Sequence, residues 1–259
     1  MQIATWNVNS LSVRLPQVLA WLAANPVDAI GLQELKLVDD KFPHDAFEAA
    51  GYHAVCFGQK TYNGVAIVSR APARDVVRNI PGHEDEQARV IAATLDVDGG
   101  PLRLVNCYFV NGQAPGTDKF AYKLRWLAAL HDWLRAELAA HPRLVLLGDF
   151  NVAPQDRDSF DPVGLKDTIH HTVQERQHFK DLLALGLTDA FRLFEQPEKS
   201  YSWWDYRMLG FQKNSGLRID HILVSEALRA GVTGCRIDRT PRKNPQPSDH
   251  APVVVTLAD

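Results

Sequence analysis

Apolar and polar positions alternate along the chain with two different periods. Short blocks of β-branched and apolar residues predict strands at Ile3–Trp6, Ala29–Gln33, Val65–Ser69, Val90–Leu95, Leu102–Phe109, Leu144–Leu147, Ile219–Val224 and Val253–Leu257. Apolar residues three and four positions apart predict helices at Leu15–Leu22, Lys119–Ala140 and Phe179–Leu183. Many strands separated by few helices favour an α/β or α+β sandwich of two packed sheets with helices outside. The pattern leaves the order of the strands open.

Composition narrows the class of protein without identifying a partner. The 259 residues are 46% hydrophobic and carry a formal net charge of −3, which is typical of a globular protein that does not coat nucleic acid non-specifically. The longest apolar runs fall far short of the roughly 18 residues that a membrane span needs, so we expect no membrane partner. The three cysteines lack Cys-x-x-Cys spacing, which predicts no disulfide framework and a cytoplasmic location.

Polar residues stand at the ends of the predicted strands. They are Asn7, Glu34, Asp149, Asn151, Asp220 and His250. Each of them taken alone is compatible with an ordinary turn or cap. As a set they are more informative, because strand ends in a sheet protein converge on one rim.

The chemistry of this set points to hydrolysis. Oxygen ligands from Asn7 and Glu34 suit Mg²⁺ or Mn²⁺ and do not suit structural zinc. His250 is the group expected to titrate near neutrality, and a carboxylate such as Asp220 can orient it. Motifs of nucleotide-binding loops and of the GxSxG nucleophile elbow are absent from the sequence. What remains is metal-assisted attack of water on a phosphorus ester.

Several motifs occur in the order found in one known family. They are TWNVN at 5–9, GLQELK at 31–36, GQKTYNGVA at 58–66, NCY at 106–108, GDFN at 148–151, SWWDYR at 202–207, GLRID at 216–220 and SDHAP at 248–252. With these motifs the chain resembles the exonuclease III family of abasic-site endonucleases, in the endonuclease/exonuclease/phosphatase superfamily. The resemblance implies a single domain over residues 1–259. It also implies a four-layer α/β/β/α sandwich with two packed mixed sheets.

The resemblance also implies an active site that binds Mg²⁺, or Mn²⁺ in its place. Its candidate metal ligands are Asn7, Glu34, Asp149, Asn151, Asp249 and His250. Its catalytic candidates are Tyr108, Asp149, Asn151, Asp220 and His250. In this scheme Asp149 acts as general base or positions the attacking water, and His250 contacts a phosphate oxygen. Tyr108 reaches the phosphate or the leaving oxygen, although packing at the strand end is its alternative role.

The implied substrate is double-stranded DNA with abasic sites or blocked 3′ ends, acted on by a monomer. Candidate DNA contacts are Lys60, Asn63, Arg89, Asn111, His170, Trp203, Leu217 and Arg218. Four of them, Lys60, Asn63, Arg89 and Arg218, are candidates for either phosphate contacts or structural contacts. Of these, Trp203 and Leu217 match positions that wall the pocket for a flipped-out sugar lacking its base, whereas the alternative for Trp203 and for Trp204 is core packing. A basic run, Arg236–Lys243, is either a further DNA-backbone contact or a solvated loop.

Two residues depart from the family pattern. Asn9 stands where some relatives carry an aspartate, so a second carboxylate near the metal is missing. His170 stands in a loop that borders the sugar pocket, where several relatives have a small residue. We hypothesise that this bulky and chargeable residue narrows the route of a continuous strand and favours trimming of blocked 3′ ends. A surface-loop histidine is the alternative.

The sequence therefore predicts a DNA-repair phosphodiesterase with abasic-site endonuclease, 3′-phosphatase or 3′-phosphodiesterase, and 3′→5′ exonuclease activity in some proportion. Two alternatives stay open: a superfamily enzyme acting on a small phosphoester, and a catalytically inactive DNA-binding module. The complete set of water-activating residues disfavours the inactive module, and the motifs at 202–207 and 216–220 disfavour the small phosphoester.

Overall fold

The computed structural model describes residues 1–258. Its strands are β1 (Gln2–Asn7), β2 (Ala29–Gln33), β3 (His53–Phe57), β4 (Val65–Ser69), β5 (Ala73–Arg78), β6 (Val90–Val97), β7 (Gly100–Tyr108), β8 (Leu144–Asp149), β9 (Leu187–Asp189), β10 (Trp203–Trp204), β11 (Gly216–Leu217), β12 (Asp220–Ser225), β13 (Val232–Ile237) and β14 (Val253–Leu257). Its α-helices are α1 (Leu11–Ala24), α2 (His44–Ala49), α3 (Asp118–Ala140), α4 (Val173–Ala184) and α5 (Glu226–Arg229). All the strands expected from the sequence are present, with ends within two residues of those expected.

Within residues 1–258 the strands form two six-stranded mixed sheets and one short ribbon. The first sheet has the order β13-β14-β1-β2-β4-β3, and the second sheet has the order β5-β6-β7-β8-β12-β9. Strand β1 runs parallel to β2, and β7 runs parallel to β8. The remaining neighbours in both sheets are antiparallel. The ribbon pairs β10 with β11.

Three apolar clusters lie between four layers. The inner cluster fills the space between the two sheets and includes Ile67 and Leu147. A second cluster packs α1 against the outer face of the first sheet, with Trp21 buried there. A third packs α3 and α4 against the outer face of the second sheet through Leu130 and Phe179. The expected α/β/β/α sandwich is therefore confirmed.

The strands of the two sheets that the apolar pattern missed share one property. β3, β5, β9 and β13 are the four edge strands of these sheets. Partial exposure leaves β5 and β13 with sequences of mixed polarity and no apolar block, whereas β9 has only three residues, two of them buried. The structure accordingly shows exposed or half-buried positions along β5 and β13.

Helix α3 begins with a side-chain cap and packs through one apolar stripe. The Oγ of Thr117 accepts a hydrogen bond from the Phe120 backbone N–H at 3.2 Å. Phe120, Leu127 and Leu130 are buried on the stripe, and so is Lys123. Of the helices in residues 1–258, none combines the length and the apolar character that crossing a bilayer would require.

Candidate active site

The polar residues at the strand ends lie together at one rim of the two sheets. Asp149 ends β8, and the antiparallel pairing of β12 with β8 sets Asp220 directly opposite it. The parallel pairing of β7 with β8 sets Tyr108 on the other side of Asp149. In the first sheet Asn7 ends β1, and Glu34 directly follows the parallel strand β2. Strand register thus brings together residues that are far apart in sequence.

Three residues of this rim have left-handed backbone conformations. The φ angles are 53° at Glu34, 49° at Asn151 and 70° at His170. Non-glycine residues rarely adopt this region, and such strain is common where a fold must aim a side chain at a functional site.

His250 is held by a buried carboxylate. Its Nδ1 lies 2.9 Å and 3.0 Å from the two carboxylate oxygens of Asp220. The hydroxyl of Ser202 donates to Asp220 Oδ2 at 2.6 Å and so fixes that carboxylate. Burial alone would lower the pKa of His250, but the Asp220 and Asp149 carboxylates raise it to about 10. In this arrangement the imidazole is protonated at pH 7, which corrects the expectation that it titrates near neutrality.

Asp149 is buried at the centre of the group. Its Oδ2 accepts a hydrogen bond from Asn7 Nδ2 at 3.0 Å and lies 3.7 Å from His250 Nε2. Its Oδ1 accepts the backbone N–H of Asn151 at 3.0 Å. Burial raises the pKa of Asp149 to about 7, against the opposing charge of His250. A bound cation would favour the carboxylate form.

The donor set fits a hard divalent cation. One ligand atom each from Glu34, Asp149 and His250 lie within 4.8 Å of one another. Two carboxylates of this set offer the oxygen atoms that Mg²⁺ and Mn²⁺ prefer. The Asn7 amide nitrogen bridges them, donating to Glu34 Oε1 at 2.9 Å, so Asn7 would have to turn its amide to offer oxygen. His250 in its protonated state has no lone pair for a metal, which disfavours its expected role as a ligand.

Asp249 stands outside the closely spaced group. Its Oδ1 accepts a hydrogen bond from Asn9 Nδ2 at 3.0 Å, and its Oδ2 accepts one from Trp203 Nε1 at 2.9 Å. Lys36 donates to Asn9 Oδ1 at 2.6 Å and pairs with Glu34 at 3.0 Å. Because position 9 is an asparagine, Asp249 has an amide and not a second carboxylate beside it. Asp249 therefore links Asn9 to Trp203 of the ribbon through hydrogen bonds.

Two asparagines and a tyrosine complete the rim. Asn151 Nδ2 donates to the Phe109 carbonyl at 3.0 Å, and Asn111 Nδ2 donates to Asn151 Oδ1 at 3.3 Å. The pKa of Tyr108 lies well above its usual range because of burial and the nearby Glu34 and Asp149 charges. Tyr108 therefore keeps its proton at neutral pH and is able to donate a hydrogen bond.

The two residues expected to wall a sugar pocket lie on the ribbon, where Leu217 is 3% exposed. Trp203 pairs with Leu217 across β10 and β11, and both pack with Ala153 and Ile219. Trp203 is half-buried, whereas Trp204 is completely buried. The interpretation of Trp204 as a core residue is confirmed.

His170 lies directly beside Asn151. Its Nδ1 is 2.7 Å from the Asn151 carbonyl oxygen, and its backbone N–H donates to Glu175 Oε1 at 3.1 Å. Burial and the nearby Lys123 charge lower the pKa of His170 to about 3. Of the two properties considered for this residue, bulk and charge, the lowered pKa supports bulk alone, since the ring is neutral at physiological pH. Its position beside the site agrees with the expectation of a bulky neighbour.

Two arginines expected at the DNA surface are held inside the protein. Arg218 is 1% exposed and pairs with Asp158 at 2.7 Å and Asp189 at 2.8 Å, which supports the structural alternative for this residue and not a phosphate contact. Arg89 is 8% exposed and donates to the Tyr108 carbonyl at 3.2 Å. Arg89 thus braces the strand that carries Tyr108.

The remaining candidates divide between surface and interior. Lys60 and Asn111 are exposed, while Asn63 is buried and donates to Gln59 Oε1 at 2.9 Å. In the basic run, Arg242 is buried and donates to the Ser248 carbonyl, which makes it structural. Its neighbours in the run that face solvent are Arg236, Arg239 and Lys243.

Sequence reasoning missed residues that act by orienting others. Ser202 fixes Asp220, and Lys36 joins Glu34 to Asn9. Lys123 contacts the Asn151 carbonyl from helix α3. A signal for Lys123 was present, since it is a charged residue on the apolar stripe of its helix.

Comparison with known proteins agrees with this geometry. The model of the Endonuclease/Exonuclease/phosphatase family matches residues 4–250. Exodeoxyribonuclease III of Haemophilus influenzae is 35% identical over 266 aligned residues, covering 98% of this chain and 98% of that protein.

Solved structures extend the likeness to the whole fold. A variant of the 3′ phosphatase NExo from Neisseria, bound to a product DNA hairpin, is 51% identical with a TM-score of 0.96, and the match covers 100% of both chains. An AP endonuclease from Archaeoglobus fulgidus is 35% identical with a TM-score of 0.94, covering 99% of each chain.

Proposed function

The chain belongs to the endonuclease/exonuclease/phosphatase family, and we propose that it is a Mg²⁺-dependent DNA-repair phosphodiesterase of the exonuclease III type. The observation that carries this proposal is the close group of Glu34, Asp149 and His250, buttressed by Asp220, at one rim of the sandwich. That group combines oxygen ligands with a buried carboxylate and a protonated imidazole. The full-length match to exodeoxyribonuclease III supports DNA as the substrate.

Each residue has a defined task in this proposal. Glu34 would hold the cation, together with Asn7 once its amide had turned, and the cation would supply Lewis acidity and charge neutralisation at the scissile phosphate. Asp149 accepts a proton from the attacking water, and Asn151 aligns that water or the phosphate. His250 donates its Nε2 proton to a phosphate oxygen while Asp220 holds the ring. The Tyr108 hydroxyl donates a hydrogen bond to the phosphate or to the leaving oxygen.

We further propose that blocked 3′ ends of double-stranded DNA are preferred over internal abasic sites. His170 lies against Asn151, and its neutral ring adds bulk without charge beside that residue. In this proposal the added bulk obstructs a continuous strand that leaves the site. The Neisseria relative described as a 3′ phosphatase supports this preference. The single-domain organisation over residues 1–259, the monomeric state and the cytoplasmic location stay predictions.

Metal-dependent hydrolysis tests the main proposal. Duplexes carrying a nicked 3′-phosphate, an internal abasic site or an undamaged 3′-hydroxyl end are incubated with Mg²⁺, with Mn²⁺ and with EDTA. We expect product with either metal and none with EDTA. Glu34→Gln should raise the Mg²⁺ concentration needed by at least about tenfold. Absence of any metal-dependent DNA product would show that the main proposal is wrong, and hydrolysis of a small phosphoester alone would favour that alternative.

The role of His170 is tested by substitution with glycine. His170→Gly places glycine at a left-handed backbone position and so relieves its strain, and the fold should therefore tolerate the substitution. Asp167→Gly is a matched control, because Asp167 is an exposed left-handed residue in the same loop. We expect His170→Gly alone to increase internal abasic-site incision relative to 3′-phosphate release. An unchanged ratio, or efficient internal incision by the unsubstituted protein, contradicts the proposed preference.

A further inference from the structure

Helix α3 carries a charged residue where its apolar stripe calls for a leucine. Lys123 is completely buried between Phe120 and Leu127 on the face that packs against the second sheet. Its ammonium group lies near the loops that follow β7 and β8. The residue has no place among the groups that would touch metal or substrate.

The three protons of the Lys123 ammonium match three acceptors. Nζ donates to the Asn111 carbonyl at 3.1 Å, to the Asn151 carbonyl at 2.8 Å and to the carboxylate of Glu175. The two carbonyls belong to the residues whose side chains meet at 3.3 Å on the rim. One buried cation therefore joins the two loops that aim Asn111 and Asn151.

Glu175 extends the connection to a third loop. Besides the lysine, its Oε1 accepts the backbone N–H of His170 at 3.1 Å. Its Oε2 accepts the backbone N–H and the hydroxyl of Thr172 at 3.1 Å and 2.7 Å, at the start of α4. The His170 ring then returns to the Asn151 carbonyl at 2.7 Å. The pair Lys123–Glu175 thus closes a ring of contacts around Asn151.

A buried ion pair holds a helix in place only at a large cost in desolvation free energy. Burial lowers the pKa of Lys123, and the Glu175 charge opposes that shift. Replacing such a pair with apolar side chains of similar volume is often neutral or stabilising. Stability alone therefore gives no reason for a lysine here, whereas geometric specificity does.

We propose that Lys123 is a positioning residue that sets Asn151 for phosphoester hydrolysis and, through Glu175, holds His170 in its restricting position. The inference rests on the proposed function, since it concerns the rate and the substrate preference of that activity. The lysine acts through backbone carbonyls, so it shapes the site without touching DNA. Loss of the hydrogen bonds from Lys123 to the Asn111 and Asn151 carbonyls should lower the turnover number more than it weakens substrate binding.

The test uses two variants that distinguish the effect of an unpaired buried charge from the effect of losing the contact between Lys123 and Asn151. Lys123→Met keeps an unbranched apolar stem, one atom shorter than that of lysine, but leaves the buried Glu175 carboxylate without its opposite charge. The double variant Lys123→Met/Glu175→Gln removes both charges and still lacks the tether to Asn151. Arg103→Met is the matched control, because Arg103 is 2% exposed and pairs with Glu137 at 2.7 Å on the same helix, away from the site.

Urea unfolding, kcat and KM are measured for 3′-phosphate release and for internal abasic-site incision. We expect Lys123→Met to lower kcat for 3′-phosphate release by about 10- to 100-fold, since small misplacements of reacting groups cost that much. KM should stay within about twofold, and the ratio of internal incision to 3′ release should rise about tenfold. The double variant should regain stability while both kinetic effects persist.

A purely structural lysine gives a different outcome. In that case the double variant recovers kcat together with stability, or the substrate ratio stays at its original value, and either result overturns the inference. Should Lys123→Met not fold, the double variant and Glu175→Gln carry the same comparison. Arg103→Met should lose stability and keep the substrate ratio. Absence of DNA hydrolysis by the unsubstituted protein would instead refute the proposed function, so the two failures are distinguishable.

Discussion

Two buried histidines lie near the same rim and have opposite charge states. His250 faces the Asp220 carboxylate at 2.9 Å, and its pKa is raised to about 10. His221 directly follows Asp220 on β12, but its Nδ1 accepts a hydrogen bond from Arg218 at 2.9 Å. Burial and the Arg218 charge lower the pKa of His221 to about 4.

The difference between these histidines comes from the alternation of a strand. Successive side chains of a strand point to opposite faces, so Asp220 turns toward the active site while His221 turns toward the outer layer. There His221 packs edge-on against Phe150 at 5.0 Å and lies 3.1 Å from the Val152 carbonyl oxygen. Equal burial therefore yields a cation on one face and a neutral structural residue on the other.

The largest expected effect is a difference in activity between the surroundings of His250 and those of His221. Asp149→Asn should reduce kcat on the order of 10²–10⁴-fold, because a general base is lost. Asp189→Asn is its counterpart in the Arg218 network and should lower stability while folded protein keeps its kcat. Turnover on a 3′-phosphate duplex, normalised to folded protein by circular dichroism, measures both. Near-normal turnover by Asp149→Asn would mean that the assigned base is wrong.

The next effect is a difference in the free energy of unfolding between the buried Arg218 network and an exposed ion pair. Arg218→Met should cost about 3–5 kcal/mol of unfolding free energy, because it leaves Asp158 and Asp189 as buried charges without this partner. Arg74→Met, which breaks the exposed pair with Asp96, should lower the unfolding free energy far less, because solvent screens that pair. Urea denaturation of both variants checks the difference. Equal losses would contradict the structural role assigned to Arg218.

The smallest effect is a pair of opposite pH dependences. His221 binds a proton more readily unfolded than folded, so its contribution to stability falls as pH drops from 6.5 toward about 4. His250 binds its proton more tightly when folded, so its contribution is full below pH 6.5 and is lost as pH rises toward about 10.

Unfolding in EDTA across this pH range measures the two contributions separately. His221→Gln should flatten the acid side of the stability profile, and His250→Gln should flatten the alkaline side. If both variants altered the same side, the contrast between the two environments would be wrong.

The sequence determined the central strands and the chemistry of the site. Strands such as β1, β8 and β14 are buried throughout or nearly so, and their apolar blocks are visible without any structure. The catalytic candidates Asp149, Asp220 and His250 stand at the ends of such strands, so their convergence followed from the nature of a sheet. The edge strands β5 and β13 were missed because exposure leaves them without an apolar block, and β9 was missed because it has only three residues.

Tertiary structure decided what each polar residue does. No local pattern distinguishes Arg218, which pairs with two buried aspartates, from an arginine at a DNA surface. The charge states of His170, His221 and His250 likewise depend on neighbours that are distant in sequence. The sequence supplied the functional groups, whereas burial and partner charges, which exist only in the fold, set their protonation and their roles.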